Sequence, residues 1–301
     1  MKKHKICKIL LVILAFFLCV AFYELLGICV AYKKQPEVSN TTKKETKNGS
    51  WNECSENTER AVIIEKNPEA LLQRVRLIKN AKKEIILSTF AFQSDESGKL
   101  ILGALHDAAD RGVHIRLLVD GMESWIDMEG NPYFYGLSSH ENVEIKLYNK
   151  ANPLKPWKMM GRMHDKYLIA DGKRYILGGR NTYNYFLGDF PGHKNYDRDV
   201  LVVCDEPEKE NSVNQLLEYF ETIWEQEDSG YFHDNKKLAN RKSVKNAVLE
   251  LQNGYQKYFE ENKERICDTD YTDETFETEK IALVSNPIHT VSYTHLRAHE
   301  T

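Results

Sequence analysis

Residues 162–181 read RMHDKYLIADGKRYILGGRN, which is the pattern of a β-hairpin. Two apolar runs, Arg162–Ala170 and Lys173–Leu177, flank Asp171-Gly172, a dipeptide that favours a two-residue type I′ turn. Along a strand, residues i and i+2 share a face. His164 and Lys166 therefore point one way, and Met163, Asp165 and Tyr167 the other. An imidazole beside an ammonium suits a phosphate. The lysine supplies fixed positive charge for the non-bridging oxygens, and the imidazole attacks phosphorus or carries a proton. Gly178-Gly179 allows close backbone approach, and Asn181 adds an amide donor. His-x-Lys alone more often describes an ordinary surface hairpin; the full run of spaced residues is what sets this stretch apart.

Working outward, the flanking chain alternates strand and helix patterns. Ala61–Ile64 is a β-branched strand, and Pro68 stands where a first helical turn begins. Ala70, Leu71, Val75, Ile78 and Ala81 recur at helical spacing. Glu84–Phe92 is a strand, and Leu100–Arg111 is an amphipathic helix stopped by Gly112. Val113–Val119 and Val143–Leu147 are further strands. Trp125–Ser139 reads as a loop, and Asn149–Met160 holds two prolines that exclude a regular element. Val200–Cys204 is a strand. A helix from about Ser212 to Gln226 and a second from about Leu238 to Asn262 follow. The fold expected is α/β, an α-β-α sandwich over a mixed, largely parallel sheet.

His164-x-Lys166-x4-Asp171-x6-Gly178-Gly179-x-Asn181 matches the HKD signature, and on it the chain resembles the phospholipase D superfamily. Residues 60–224 are similar to one repeat of its cardiolipin synthase-like branch, through Phe90, Ala108-Ala109-x-x-Gly112-Val113 and Arg198-Asp199. The resemblance implies that His164 forms a phosphohistidine while the histidine of a second HKD copy protonates the leaving alcohol. It further implies that Lys166, Gly179 and Asn181 hold the phosphate, that Asp171 orients the histidine pair, and that no metal or other cofactor is needed.

The second HKD copy is not found in this sequence. His106, His114, His140, His193, His233, His289, His295 and His299 all lack a lysine at the required spacing. Three explanations compete: a truncated two-repeat enzyme, a protomer completed by a homodimer partner, and an inactive phosphate- or lipid-binding module. Truncation is the expectation. Thr58–Pro68 (TERAVIIEKNP) is echoed with one gap by Thr278–Pro287 (TEKIALVSNP), as though a second repeat begins there. The tail 291–301 reads as non-native.

The N-terminus sets the location. Lys2, Lys3, Lys5 and Lys8 precede the apolar run Ile9–Tyr23, and after Glu24 apolar character resumes from Leu25 to Tyr32. This reads as an uncleaved membrane anchor over 1–34 rather than a signal peptide. Lysines on both flanks leave its orientation poorly marked; the extracytoplasmic side is the expectation for the rest. A polar linker covers 35–58, the HKD domain 59–270, and the start of the second repeat 271–290. The balanced net charge of −4 excludes a globally polybasic nucleic-acid binder. The six cysteines form no ligand-spaced set, so no metal is expected. Cys54 and Cys267 are expected as lone thiols, with a disulfide as the alternative. The function expected is a membrane-anchored phosphodiesterase or phosphatidyltransferase acting on phospholipids, with Lys155, Trp157 and Lys158 as possible membrane contacts. A nuclease completed by dimerisation is the alternative, because Arg162, Lys173, Arg174, Arg180, Lys194 and Arg198 make the motif's neighbourhood basic.

Overall fold

Side-chain alternation decides what each strand packs against. The structure, a computed structural model, describes residues 2–33, 59–158, 161–204, 211–233, 236–278, 281 and 283. The linker 35–58 with Cys54, the residues 284–290 of the repeat echo and the tail 291–301 lie outside the described residues. Cys267 is a free, exposed thiol.

Among the described residues nine strands form one sheet in the order β8-β4-β3-β2-β5-β6-β7-β1-β9. They are β1 (Glu59–Ile64), β2 (Glu84–Thr89), β3 (His114–Asp120), β4 (Val143–Tyr148), β5 (Tyr167–Ala170), β6 (Arg174–Gly178), β7 (Asp199–Val203), β8 (Ser229–Tyr231) and β9 (Phe276–Thr278). Ile85, Leu87, Ile115, Leu117, Leu168, Ile176 and Leu201 face one side. There they meet α2 (Asn67–Asn80), α3 (Glu96–Asp110), α5 (Pro132–Ser138) and α7 (Lys242–Glu261). Ile86, Leu118, Tyr167, Ile169, Tyr175 and Val202 face the other side. That side is covered by α6 (Ser212–Trp224), through Val213, Leu216, Phe220, Ile223 and Trp224. The α-β-α sandwich is as expected, and the sheet is mixed.

The expectation that the sheet is largely parallel is corrected. Among the described strands β2–β3 and β3–β4 are parallel, and the other six pairings are antiparallel. Parallel pairing needs a helical crossover, which α3 supplies between β2 and β3 and the segment 121–142 between β3 and β4. The rest of the sheet is built from short returns such as the Asp171-Gly172 hairpin. The segment expected as a loop at 125–139 also differs, being largely helical: α4 (Gly121–Asp127) and α5. The Asp120 carboxylate accepts from the Met122 and Glu123 amides and the Asn131 side chain from Tyr133 N, with Pro132 in the first turn. These are N-cap signals hidden inside an aromatic-rich stretch. Residues 276–278 pair with β1 as the edge strand β9, Glu59 opposite Thr278.

Before the domain, α1 (Lys2–Lys33) contains the stretch Lys5–Val30, long and apolar enough to cross a membrane.

Candidate functional site

Because β2 and β3 run parallel while β5 runs against β2, three chain segments meet at one end of the sheet. These are the residues after β2, the residues before β5 and the residues after β6. In open α/β sheets the carboxyl ends of the parallel strands are where ligands bind. His164 and Lys166 lie there, in an extended segment just ahead of β5 rather than inside it, since ladder pairing begins at Tyr167.

The alternation read from the sequence persists through this segment. Met163 is buried with Tyr167 and Ile169 on the α6 side. Asp165 points the same way, accepting a hydrogen bond of 3.0 Å from the Tyr219 hydroxyl of α6; burial raises its pKa. Arg162, His164 and Lys166 gather instead around one ring, Phe90. The His164 imidazole meets it edge to face with centroids 4.7 Å apart. The Arg162 guanidinium lies 5.0 Å and the Lys166 ammonium 5.4 Å from its centroid. The π-face offers the cations partial negative charge without neutralising them.

Lys166 is buried and donates to the His164 carbonyl oxygen at 2.6 Å. Burial pushes its pKa down to about 8, against the opposing pull of Asp165, Asp197 and Asp120. Asn181 is buried, and its side-chain oxygen accepts from Ala91 N at 3.2 Å. That leaves its NH2 as the end able to donate to a ligand. The Asp197 carboxylate closes over Gly179, where a Cβ would lie 2.0 Å from it.

Sequence reasoning missed Asp120. Buried at the end of β3, it accepts from Arg162 Nε at 2.9 and 3.0 Å and from Met163 N at 3.0 Å. It thereby fixes the entry of the His164 segment while capping α4. Its only signal was its place at the carboxyl end of a β-branched strand.

Asp171 is not where the sequence expectation needs it. It sits in the β5–β6 turn at the opposite end of the hairpin, about 23 Å from His164 at roughly 3.3 Å per extended residue. Its carboxylate accepts from the Lys82, Lys83 and Glu84 amides at the entrance to β2. Asp171 and Gly172 have φ values of +54° and +62°, as a type I′ turn requires. The correction is physical: a residue at the turn cannot reach groups at the strand's other end. Asp171→Ala should lower stability by about 1–3 kcal/mol through orphaned amides while leaving the turnover per folded molecule within about threefold. A thermal melt alongside a specific-activity assay checks this. Lost activity with an unchanged melt would restore an orienting role.

The basic neighbourhood is corrected as well. Arg180 is fully buried, bonded to Asn67 Oδ1 and to the carbonyls of Ile64 and Glu65, and paired with Asp199 at 3.2 Å. Arg174 begins β6 beside the Asp171 turn, and Arg198 pairs with Glu65 at 3.0 Å. Of the six basic residues counted, Arg162 alone contacts Phe90 at the site.

The signature, this grouping of side chains and the mixed sheet agree with the sequence comparison: the chain belongs to the family described as cardiolipin synthase, PLD-like domain, which matches residues 74–224. An uncharacterised protein of Helicobacter pylori strain J99 is 30% identical over 212 residues, covering 65% of this chain and 39% of that protein. Cardiolipin synthase C of Escherichia coli is 29% identical over 171 residues, covering 52% of this chain and 34% of that one. The chain thus spans little more than a third of the length of these relatives. Among solved structures, phosphatidylserine synthase of Haemophilus influenzae aligns with a TM-score of 0.48 at 18% identity, over 73% of this chain and 48% of that one.

Proposed function

We propose that the chain supplies one half-site of a membrane-anchored phosphodiesterase or phosphatidyltransferase that acts on phospholipids through a phosphohistidine at His164. The grouping of Arg162, His164 and Lys166 around Phe90, beside the Asn181 amide, carries this reading. The neutral imidazole attacks phosphorus as the bond to the leaving alcohol breaks. Lys166, Asn181 and the Gly179 backbone receive the phosphate oxygens. The departing alkoxide takes a proton from the acid of a second half-site. Water or an acceptor alcohol, deprotonated by that same group, then displaces the phosphoryl from His164. With the headgroup glycerol hydroxyl of a phosphatidylglycerol as acceptor, the product is cardiolipin.

On the α6 side Leu177 and Val200 are half-buried against the cluster that helix covers, and Ile63, in register with Val200, is 60% exposed. A lipid rather than a nucleic acid is favoured because Arg180, one of the six basic residues near the motif, is buried and bonded internally and so offers nothing to a phosphate backbone.

Two measurements test this. Incubation of a catalytically complete assembly containing the chain with phosphatidylglycerol labelled at phosphorus, followed by a rapid quench, should leave acid-labile, base-stable label on His164. Label on serine, aspartate or lysine, or none under single-turnover conditions, would sink the reading. The second uses dimethyl phosphate, whose single charge does not change with pH. The Lys166 ammonium is the binding form and its pKa is about 8, so affinity should fall as pH rises. The expected loss is about tenfold per unit above pH 8, and Lys166→Arg should remove it. A flat profile between pH 7 and 10 in the native chain would exclude Lys166 as the phosphate clamp.

A further inference from the structure

The helix α1 does not stand clear of the domain. The Tyr23 hydroxyl donates to the Leu154 carbonyl at 2.8 Å. Gly27, one turn on, is buried against Pro156, so closely that a Cβ would lie 2.4 Å from its Cγ. The loop after β4 is thus seated on the carboxyl-terminal part of the apolar stretch Lys5–Val30. Those 26 residues span about 39 Å as a helix, against a hydrocarbon layer of roughly 30 Å. The surplus has to lie in the headgroup region, and Glu24 says at which end. A carboxylate avoids hydrocarbon, which puts Tyr23 to Gly27 at the boundary and the loop seated on them at the same depth.

The loop at that depth exposes large apolar side chains beside its lysines, Lys155 and Lys158. Leu154 is 78% exposed and Trp157 47%. Next to them, Gly121 of α4 lies against the carbonyl oxygens of Tyr148 and Asn149 at the root of the loop. On the same short helix Trp125 is 64% and Ile126 65% exposed. Tryptophan and tyrosine are the side chains that favour the membrane–water boundary. Arg162, which contacts Phe90, also pairs with Glu123 of α4 at 2.9 Å, tying this surface to the rim of the half-site.

Resting on the reading of α1 as a membrane span, we propose that Leu154, Trp157, Trp125 and Ile126 form a ridge that inserts into the bilayer's interfacial layer. The contact of Tyr23 and Gly27 with Leu154 and Pro156 sets its depth. The ridge then holds the His164 site at headgroup level, instead of leaving it free on a tether.

The test uses the full chain carrying Trp51→Phe, in vesicles of phosphatidylcholine and phosphatidylglycerol whose phosphatidylcholine bears bromine near the top of its acyl chains. Flotation first establishes that the chain is membrane-bound. Bromolipid should then quench emission, with Trp157→Phe removing about half of the quenchable part and Trp125→Phe most of the rest. Buried Trp224 remains as the unquenched reference. Gly27→Leu should float equally well yet lose the quenching of Trp157. A chain that floats but is not quenched overturns the ridge and leaves the anchor standing. Failure to float overturns both. Quenching that survives Gly27→Leu overturns the role of α1 in seating the ridge.

Discussion

Replacing His164 by asparagine is expected to lower the turnover of a catalytically complete assembly by at least about 10⁴-fold, because it removes the nucleophile along with a proton carrier. Asparagine keeps a polar amide of similar reach but cannot form the covalent intermediate, so no label should be trapped on the chain. Binding of dimethyl phosphate should change far less, since Lys166 and Asn181 remain. That split separates chemistry from binding. Complementation makes the test sharper. If two chains share one site, mixing His164→Asn with Lys166→Ala protomers should restore no more than a fraction of the activity. Near-native turnover by His164→Asn alone would end the phosphohistidine proposal.

The largest effect on stability is expected at Asp199. Its carboxylate is wholly buried between two arginines, Arg74 at 2.9 Å and Arg180 at 3.2 Å, whose side chains are 4% and 0% exposed. Asp199→Ala would leave two guanidinium groups facing each other without a counter-charge. Removing one partner from a buried ion pair costs about 3–5 kcal/mol, which for a domain of this size lowers the melting temperature by roughly 10 °C. Arg198→Ala, one residue away, breaks only an exposed pair with Glu65 and should cost no more than about 0.5 kcal/mol. A melt that places the two variants within about 1 kcal/mol of each other would show that Asp199 is dispensable to the fold. The same substitution should loosen the site, because Gly178 packs directly against the Asp199 carboxylate.

Much of the site was legible because strand periodicity is local. Parity put His164 and Lys166 together and sent Met163 and Asp165 to the other side, and the Phe90 contacts follow that parity. The Asp171-Gly172 turn was legible for a similar reason, since positive φ at two successive residues is a property of the dipeptide. The roles of Asp171 and Arg180 were not. Both lie within the span of the signature, Arg180 at one of its unspecified positions, yet a signature is a line of letters, and it does not say which residues serve the fold. Asp171 holds β2 through three backbone amides, and Arg180 ties β1, α2 and β7 together from inside.

The sequence by itself determined the alternation of strands and helices, the hairpin and its turn, the pairing of His164 with Lys166 on one side, and the apolar stretch at the N-terminus. Each of these depends on residues within a few positions of one another. Only the tertiary structure decided that six strand pairings run antiparallel and that Asp120 anchors the entry to His164. It also decided that Phe90 is the hub of the site, and that α1 rests on the loop at Leu154 and Pro156. These contacts join residues tens to more than a hundred positions apart, and what selects them is burial of charge and apolar surface across the whole sheet, which no local pattern encodes.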